Sequence, residues 1–273
     1  MPKIDLGPLG AVINPGPDVA ETAAAIDGLG YSTLWVTGGP MERLGQLADA
    51  FRATKAARVA SGIIPVIRFP ADDVIALYAE LEAEGPGRFV VGLGGAHGPQ
   101  PLDTLNAYLD RLDGAGIPAG RRVMAALGPR MLDLARERAA GAFPVLYTLE
   151  SVAAARERLG GDTTLAVELI AVVEADPATA RRLARGPLGM LGQVPAYQAS
   201  FRRQGFAEED VRGLSDAFVD ALVPWGDADT VAARVGELTE AGADHVAVSL
   251  LADRPAGEAL APWAEVAERL VAP

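Results

Sequence analysis

A histidine stands where a glycine-rich run ends. Gly87–Gly98 reads GRFVVGLGGAHG, and His97 is one of 2 histidines in 273 residues. An imidazole with an ordinary pKa near 6.5 gives or takes a proton close to neutrality, and glycines ahead of it let a planar ring lie against the backbone. A plainer reading has Gly92 and Gly94 relieving crowding inside the fold, with His97 as a loop residue. A dinucleotide fingerprint fits poorly, because Gly92-x-Gly94-x-x-His97 lacks the third glycine and a suitably placed acidic residue.

A second stretch, Met124–Met131 (MAALGPRM), passes from an apolar run into Gly128-Pro129. Proline suits a first helical turn, whose free amides and dipole form an anion cradle. Arg130 adds charge, and Leu127 leads into the turn. An ordinary helix start is the alternative. Three shorter strand ends carry weaker signals: Thr37-Gly38-Gly39-Pro40, Ser61-Gly62-Ile63 before Pro65, and Tyr147-Thr148. The chain has no cysteine, and its histidines and carboxylates follow no ligand spacing, so no metal is expected.

These segments need elements to position them. Eight apolar, β-rich runs alternate with helical patterns: Leu9–Ile13, Thr33–Thr37, Ala57–Ile63, Arg88–Leu93, Arg121–Leu127, Ala142–Tyr147, Thr164–Val173 and His245–Leu250. Such alternation means parallel strands with crossover helices, and eight close a (β/α)8 TIM barrel of the α/β class. Continuous apolar runs such as Phe89-Val90-Val91 fit strands covered on both faces. Helices are expected over Asp18–Leu29, opened by an acidic cap and stopped at Gly30, and over Asp72–Glu84, stopped at Gly85, both stops using left-handed glycine.

The rhythm breaks at about 177–222, where helical patterns run without a strand. This reads as a helical insertion after strand seven of a single domain covering 1–273. Its Leu188, Met190, Leu191, Tyr197, Phe201 and Phe206 belong to a core, an interface or a substrate pocket. Trp225-Gly226-Asp227 reads as a loop followed by a helix cap at Asp227 or Asp229. In a barrel the strand ends and following loops form the site. His245 opens strand eight and therefore reads as structural, whereas Asp253 and Arg254 follow that strand at the active end, with Arg254 toward a cofactor tail. Glu168 and Glu174 either face into the barrel or cap it.

A net charge of -12 opposes contact with nucleic acid. No window approaches the roughly 18 apolar residues of a membrane span, and the N-terminus lacks a secretory pattern, so no membrane association and a cytoplasmic location are expected.

Taken in order along the chain, GYSTLWV at 30–36, ASGIIPV at 60–66, PGRFVVGLGGAH at 86–97, AALGPRML at 125–132 and GADHV at 242–246 resemble the luciferase-like monooxygenase superfamily, and within it the short F420-dependent oxidoreductases. The resemblance implies an enzyme, an oxidoreductase holding coenzyme F420, or FMN as alternative, with its ring in the barrel mouth. It implies a non-proline cis peptide at Ser61-Gly62 behind the ring and a cofactor phosphate on the amides at Gly128 and Arg130. Gly38, Ser61, Gly62, Ile63, Gly94, Gly95, His97, Leu127, Gly128, Pro129, Arg130 and Thr148 are then the cofactor-binding residues. His97 is the catalytic acid or base toward a small-molecule substrate, and the assembly is a homodimer. An FMN-dependent monooxygenase and a carrier that binds a flavin without turnover are the rival functions. Several relatives place an acidic residue and a histidine where this chain has Gly38-Gly39, which counts against oxidation of sugar-phosphate alcohols. Phosphate-holding lysines are also missing, leaving Arg130 or backbone amides.

Overall fold

A computed structural model describes residues 3–96, 98–253 and 258–271. His97 and Arg254 lie outside the described residues. The strands are β1 (Leu9–Ile13), β2 (Thr33–Thr37), β3 (Arg58–Gly62), the two-residue β4 (Ile64–Pro65), β5 (Phe89–Gly94), β6 (Arg122–Ala125), β7 (Gly141–Phe143), β8 (Thr164–Val173), the two-residue β9 (Trp225–Gly226) and β10 (His245–Leu251). The order β10-β1-β2-β3-β5-β6-β7-β8, with β8 pairing back onto β10 and every ladder parallel, closes an eight-stranded barrel.

The helices α1 (Val19–Gly28), α2 (Gly45–Ala53), α3 (Ala71–Glu84), α4 (Pro101–Gly114), α5 (Pro129–Arg138) and α6 (Leu149–Leu159) follow the first six barrel strands. Helices α7 (Pro177–Leu191), α8 (Pro195–Arg203), α9 (Glu208–Gly213) and α10 (Asp216–Leu222) form the insertion after β8, and α11 (Ala228–Glu240) and α12 (Ala261–Leu270) complete the ring. Among the described residues, no helix is long and apolar enough to cross a membrane.

The apolar runs exist because each strand buries two faces. Outward residues such as Ala11, Leu34, Val59, Val91 and Leu165 pack against the helices in one core. Inward residues make a second core, to which each barrel strand contributes one side chain: Val12, Trp35, Ala60, Val90, Val123, Phe143, Ala166 and Ala247. Below them the N-terminal segment closes the barrel with Ile4 and Leu6. It is anchored by Thr33 Oγ1, which donates to the Leu6 carbonyl over 2.6 Å, and by the Ile4 amide, which donates to Thr164 Oγ1 over 3.1 Å.

Several expectations are corrected. Gly30 is left-handed at φ 88°, but Gly85 ends α3 with φ -155°, ordinary extended backbone. Asp18 precedes α1 without a side-chain cap bond, and α3 begins at Ala71 instead of Asp72. Trp225-Gly226 is a strand that pairs with Val172 and Val173, after which Asp227 caps α11 through the Thr230 amide. The cis peptide is Gly62–Ile63, one bond beyond Ser61-Gly62. Ser61 remains in register with Val36 of β2, and its hydroxyl is tied to β5, so the chain leaves that ladder only after Gly62.

Candidate active site

The inward core marks a floor. Its eight members are all buried, and Trp35 and Phe143 stack face to face with ring centroids 4.0 Å apart. Side chains alternate along a strand, so two residues beyond each floor position lies the next inward one: Asn14, Thr37, Gly62, Gly92, Ala125, Val145, Glu168 and Ser249. Asn14 is exposed, Gly92 is buried and the other six are partly exposed. The barrel is therefore filled up to Trp35 and Phe143 and open above them. The open layer is mostly small, and Glu168 is its one charged residue.

Beneath the strand that ends at Gly62, the ladder is offset. Ala60 pairs with Val90 and Ile64 with Leu93, so the β3–β4 side carries one residue more than β5, which is a bulge. Ser61, fully buried, fills the gap: its Oγ donates to the Gly92 carbonyl over 2.9 Å and accepts from the Gly92 amide over 2.8 Å. Its side chain thus lies in the sheet seam. A Cβ on Gly92 would sit 1.9 Å from the Ser61 carbonyl oxygen, and one on Gly38 1.6 Å from that of Ile63. Both glycines are therefore required by the backbone approach itself. The Ile63 side chain, partly exposed, lies 3.0 Å from where a Gly94 Cβ would be, and Gly95 turns beside Pro65 at φ 66°. The structure thus brings together Gly38, Gly62, Ile63, Gly94 and Gly95 on one wall of the mouth.

The Leu127–Pro129 turn opens onto a groove of about 760 Å³ between α5, α6 and α8, also lined by Tyr147, Ser151, Ser200 and Gln204, by Arg136, Arg158 and Arg203, and by the acids Asp133 and Glu157. Gly128 precedes α5 with extended backbone, and Pro129 occupies its first position. Arg130 is exposed and does not line the groove. The cation at this helix start is instead Arg203, whose Nη2 donates to the Leu127 carbonyl over 2.5 Å. Thr148 caps α6 through the Ser151 amide, and its own amide donates to Gln204 Oε1 over 2.9 Å. Tyr147 donates to the Ala126 carbonyl over 3.0 Å, and burial pushes its phenol up to about 12.

Arg203 of α8 and Gln204, which follows that helix, were not singled out in the sequence, and Tyr197 of α8 was named there only as an insertion residue of a core, an interface or a substrate pocket. The sequence left open the direction of Glu168, which the structure turns inward. Burial pushes the Glu168 carboxyl up to about 7. The Tyr197 phenol is also raised, first by burial and then by the neighbouring charge of Glu168. The one signal available for Glu168 was its position as a lone charge in the apolar strand TLAVELIAVV.

His245 lies below the floor. Its Nδ1–H donates to the Gly7 carbonyl over 2.7 Å, and its Nε2 accepts from Trp35 Nε1–H over 3.0 Å. Burial holds its pKa down to about 4, so the ring is neutral with both nitrogens satisfied. No group of three or more potential metal ligands is gathered among the described residues.

A sequence profile of luciferase-like monooxygenases matches residues 107–245. A comparison with curated proteins gives no match. Among solved structures, the chain is similar to an F420-dependent secondary alcohol dehydrogenase in complex with an F420-acetone adduct, at 14% identity and TM-score 0.73, over 99% of this chain and 98% of that one. It is similar to a coenzyme F420-dependent tetrahydromethanopterin reductase from Methanopyrus kandleri, at 16% identity and TM-score 0.73, over 97% and 98% of the two chains. It also resembles the oxygenating constituent of 3,6-diketocamphane monooxygenase from the CAM plasmid of Pseudomonas putida in complex with FMN, at 17% identity and TM-score 0.66, over 97% and 100%. Identities this low establish a shared fold.

Proposed function

From the premise that the chain belongs to the luciferase-like monooxygenase family, we propose that it is an oxidoreductase that binds coenzyme F420 and moves a hydride between it and a small organic substrate. The observation that carries this reading is the shape of the mouth. A layer of small residues lies open above an aromatic floor and beside a groove that begins at a helix N-terminus and is lined there by Arg203. A flat ring fits the first and an anionic chain the second.

The residues present suit that group. Gly62, Gly94 and Gly95 offer backbone without side-chain bulk on one wall, and Ile63 offers an apolar surface. The amides of Gly128 and Arg130, on either side of Pro129, and the guanidinium of Arg203 would hold a phosphate at the start of α5, where they act together with the helix dipole. Arg136 and Arg158 also line the groove, where both lie within ion-pair distance of Asp133 and Glu157 is a further lining residue, so the positive charge offered to a tail comes chiefly from Arg203 and the start of α5. A bound deazaflavin supplies two-electron hydride transfer at one ring carbon. The protein orients the substrate above the ring, keeps the floor dry through Trp35 and Phe143, and manages one proton. The neighbours with the higher TM-scores are described as F420-dependent, which supports F420 over FMN.

Titration with F420, FMN and FAD, followed by the fluorescence of Trp35, Trp225 and Trp263, tests the reading. F420 is expected to quench strongly, and Arg203→Ala to weaken its binding about tenfold, a loss of roughly 1.4 kcal/mol. Tight FMN binding with no response to F420 replaces the cofactor with FMN. No response to any of the three defeats the reading.

A further inference from the structure

Glu168 occupies an uncommon position. It projects into the barrel from the middle of β8, one layer above Ala166 of the floor, and it remains partly exposed to the open mouth. Its register partners are Val145 beside β7 and Ala247 on β10, both apolar. Tyr197 is the ionisable side chain that the insertion brings to it. Among the described residues, no arginine or lysine pairs with its carboxyl and none contributes to its titration. A carboxyl in apolar surroundings with no cation beside it favours its protonated form, because the charge is poorly solvated there. This one is held without a partner next to the space where the reading above puts ring and substrate.

We propose that Glu168 exchanges the proton that accompanies hydride transfer at the barrel mouth. The proposal rests on the F420 or flavin reading. In the reducing direction, a carbon of a polarised double bond in the substrate accepts hydride from the reduced deazaflavin or flavin. The electronegative atom of that bond accepts the proton of the Glu168 carboxyl. The double bond becomes a single bond, two electrons and two hydrogens have been transferred, and the carboxylate is reprotonated from water at the mouth. Oxidation runs the same exchange backwards, with Glu168 accepting the proton. Poised near 7 by burial, the carboxyl is available in either form at neutral pH. The phenol of Tyr197, raised by burial and by the neighbouring charge of Glu168, stays protonated throughout.

The test is the carboxyl titration itself, followed by infrared difference spectroscopy on the whole protein, with Glu168→Gln identifying the band and Glu168→Asp as a second variant that keeps an acid. In the absence of ligand, one protonated carboxyl is expected to persist to about pH 7 in the wild type, to vanish in Glu168→Gln, and to return with an altered midpoint in Glu168→Asp. Adding F420 or FMN is expected to move the wild-type midpoint by about one unit or more, because a ring in the mouth removes water from the carboxyl. A midpoint in the ordinary carboxylate range, a band untouched by either substitution, or a midpoint that a bound ring leaves unmoved overturns the proposal while leaving the cofactor reading intact. Binding of neither ring removes the reading on which the proposal rests.

Discussion

Two residues of the barrel interior respond to pH in opposite senses. Glu168 has its pKa raised from 4.5 to about 7, so the folded state binds more protons than the unfolded one between those values. Its contribution is fully favourable below the lower value and is lost as pH rises through the higher. His245 has its pKa lowered from 6.5 to about 4, so its neutral form stabilises above 6.5 and that contribution is lost as pH falls toward 4. Each shift corresponds to roughly 3 kcal/mol. The windows overlap and the slopes largely offset each other. Glu168→Gln should therefore match the wild type in stability near pH 4 and exceed it by up to about 3 kcal/mol above pH 7, when urea unfolding is measured across that range. Equal stability of the two proteins at neutral pH would mean that the carboxyl is not buried.

Among the elements, the β3–β4 bulge and α8 shape the site. The bulge depends on glycines for contact rather than for backbone angle. A methyl on Gly38 would lie 1.6 Å from a carbonyl oxygen, and no side-chain rotation relieves that. Gly38→Ala is expected to cost more than about 3 kcal/mol or to prevent folding. Gly28→Ala, in α1 with nothing within 4 Å of the added methyl, should be neutral or slightly stabilising. Circular dichroism melts of the pair check this contrast, and comparable losses in both would refute the contact argument. Helix α8 acts differently. Phe201 is buried among Phe206 and Phe218 in edge-to-face pairs 5.0–6.5 Å apart, and this packing fixes the helix that carries Tyr197 and Arg203 and is followed by Gln204.

Across the whole molecule, stability and chemistry are separated along the barrel axis. The N-terminal segment, His245 and the Trp35–Phe143 stack close one end, while strand ends, loops and the insertion form the other. Leu6 is buried at the closed end, and Leu6→Ala should lower stability by about 2–5 kcal/mol through the cavity it leaves. The affinity for F420 should stay within about twofold, since the deletion lies below the floor. Stability from urea unfolding and affinity from fluorescence titration measure the two quantities separately. A parallel fall in affinity would show that the floor does not insulate the mouth.

The barrel was readable in the sequence because strands buried on two faces become unbroken apolar runs. The bounds of β1, β2 and β8 coincide with those runs. The resemblance named Gly62, Ile63, Gly94 and Gly128 as cofactor-binding, and the structure sets the first three on one wall of the mouth and Gly128 at the start of α5. Arg203 was beyond reach, since it meets Leu127 across 76 residues through the docking of an insertion helix, and no local pattern encodes that distance. Glu168 lies between these cases. Its chemistry was visible as one charge in an apolar strand, but whether it faced ring or helices turned on register. A strand alternates with a period of two, so a shift of one residue would have sent the carboxyl outward. The sequence by itself determined that the acid is there, and the closing of eight strands around Trp35 and Phe143 decided that it faces the mouth.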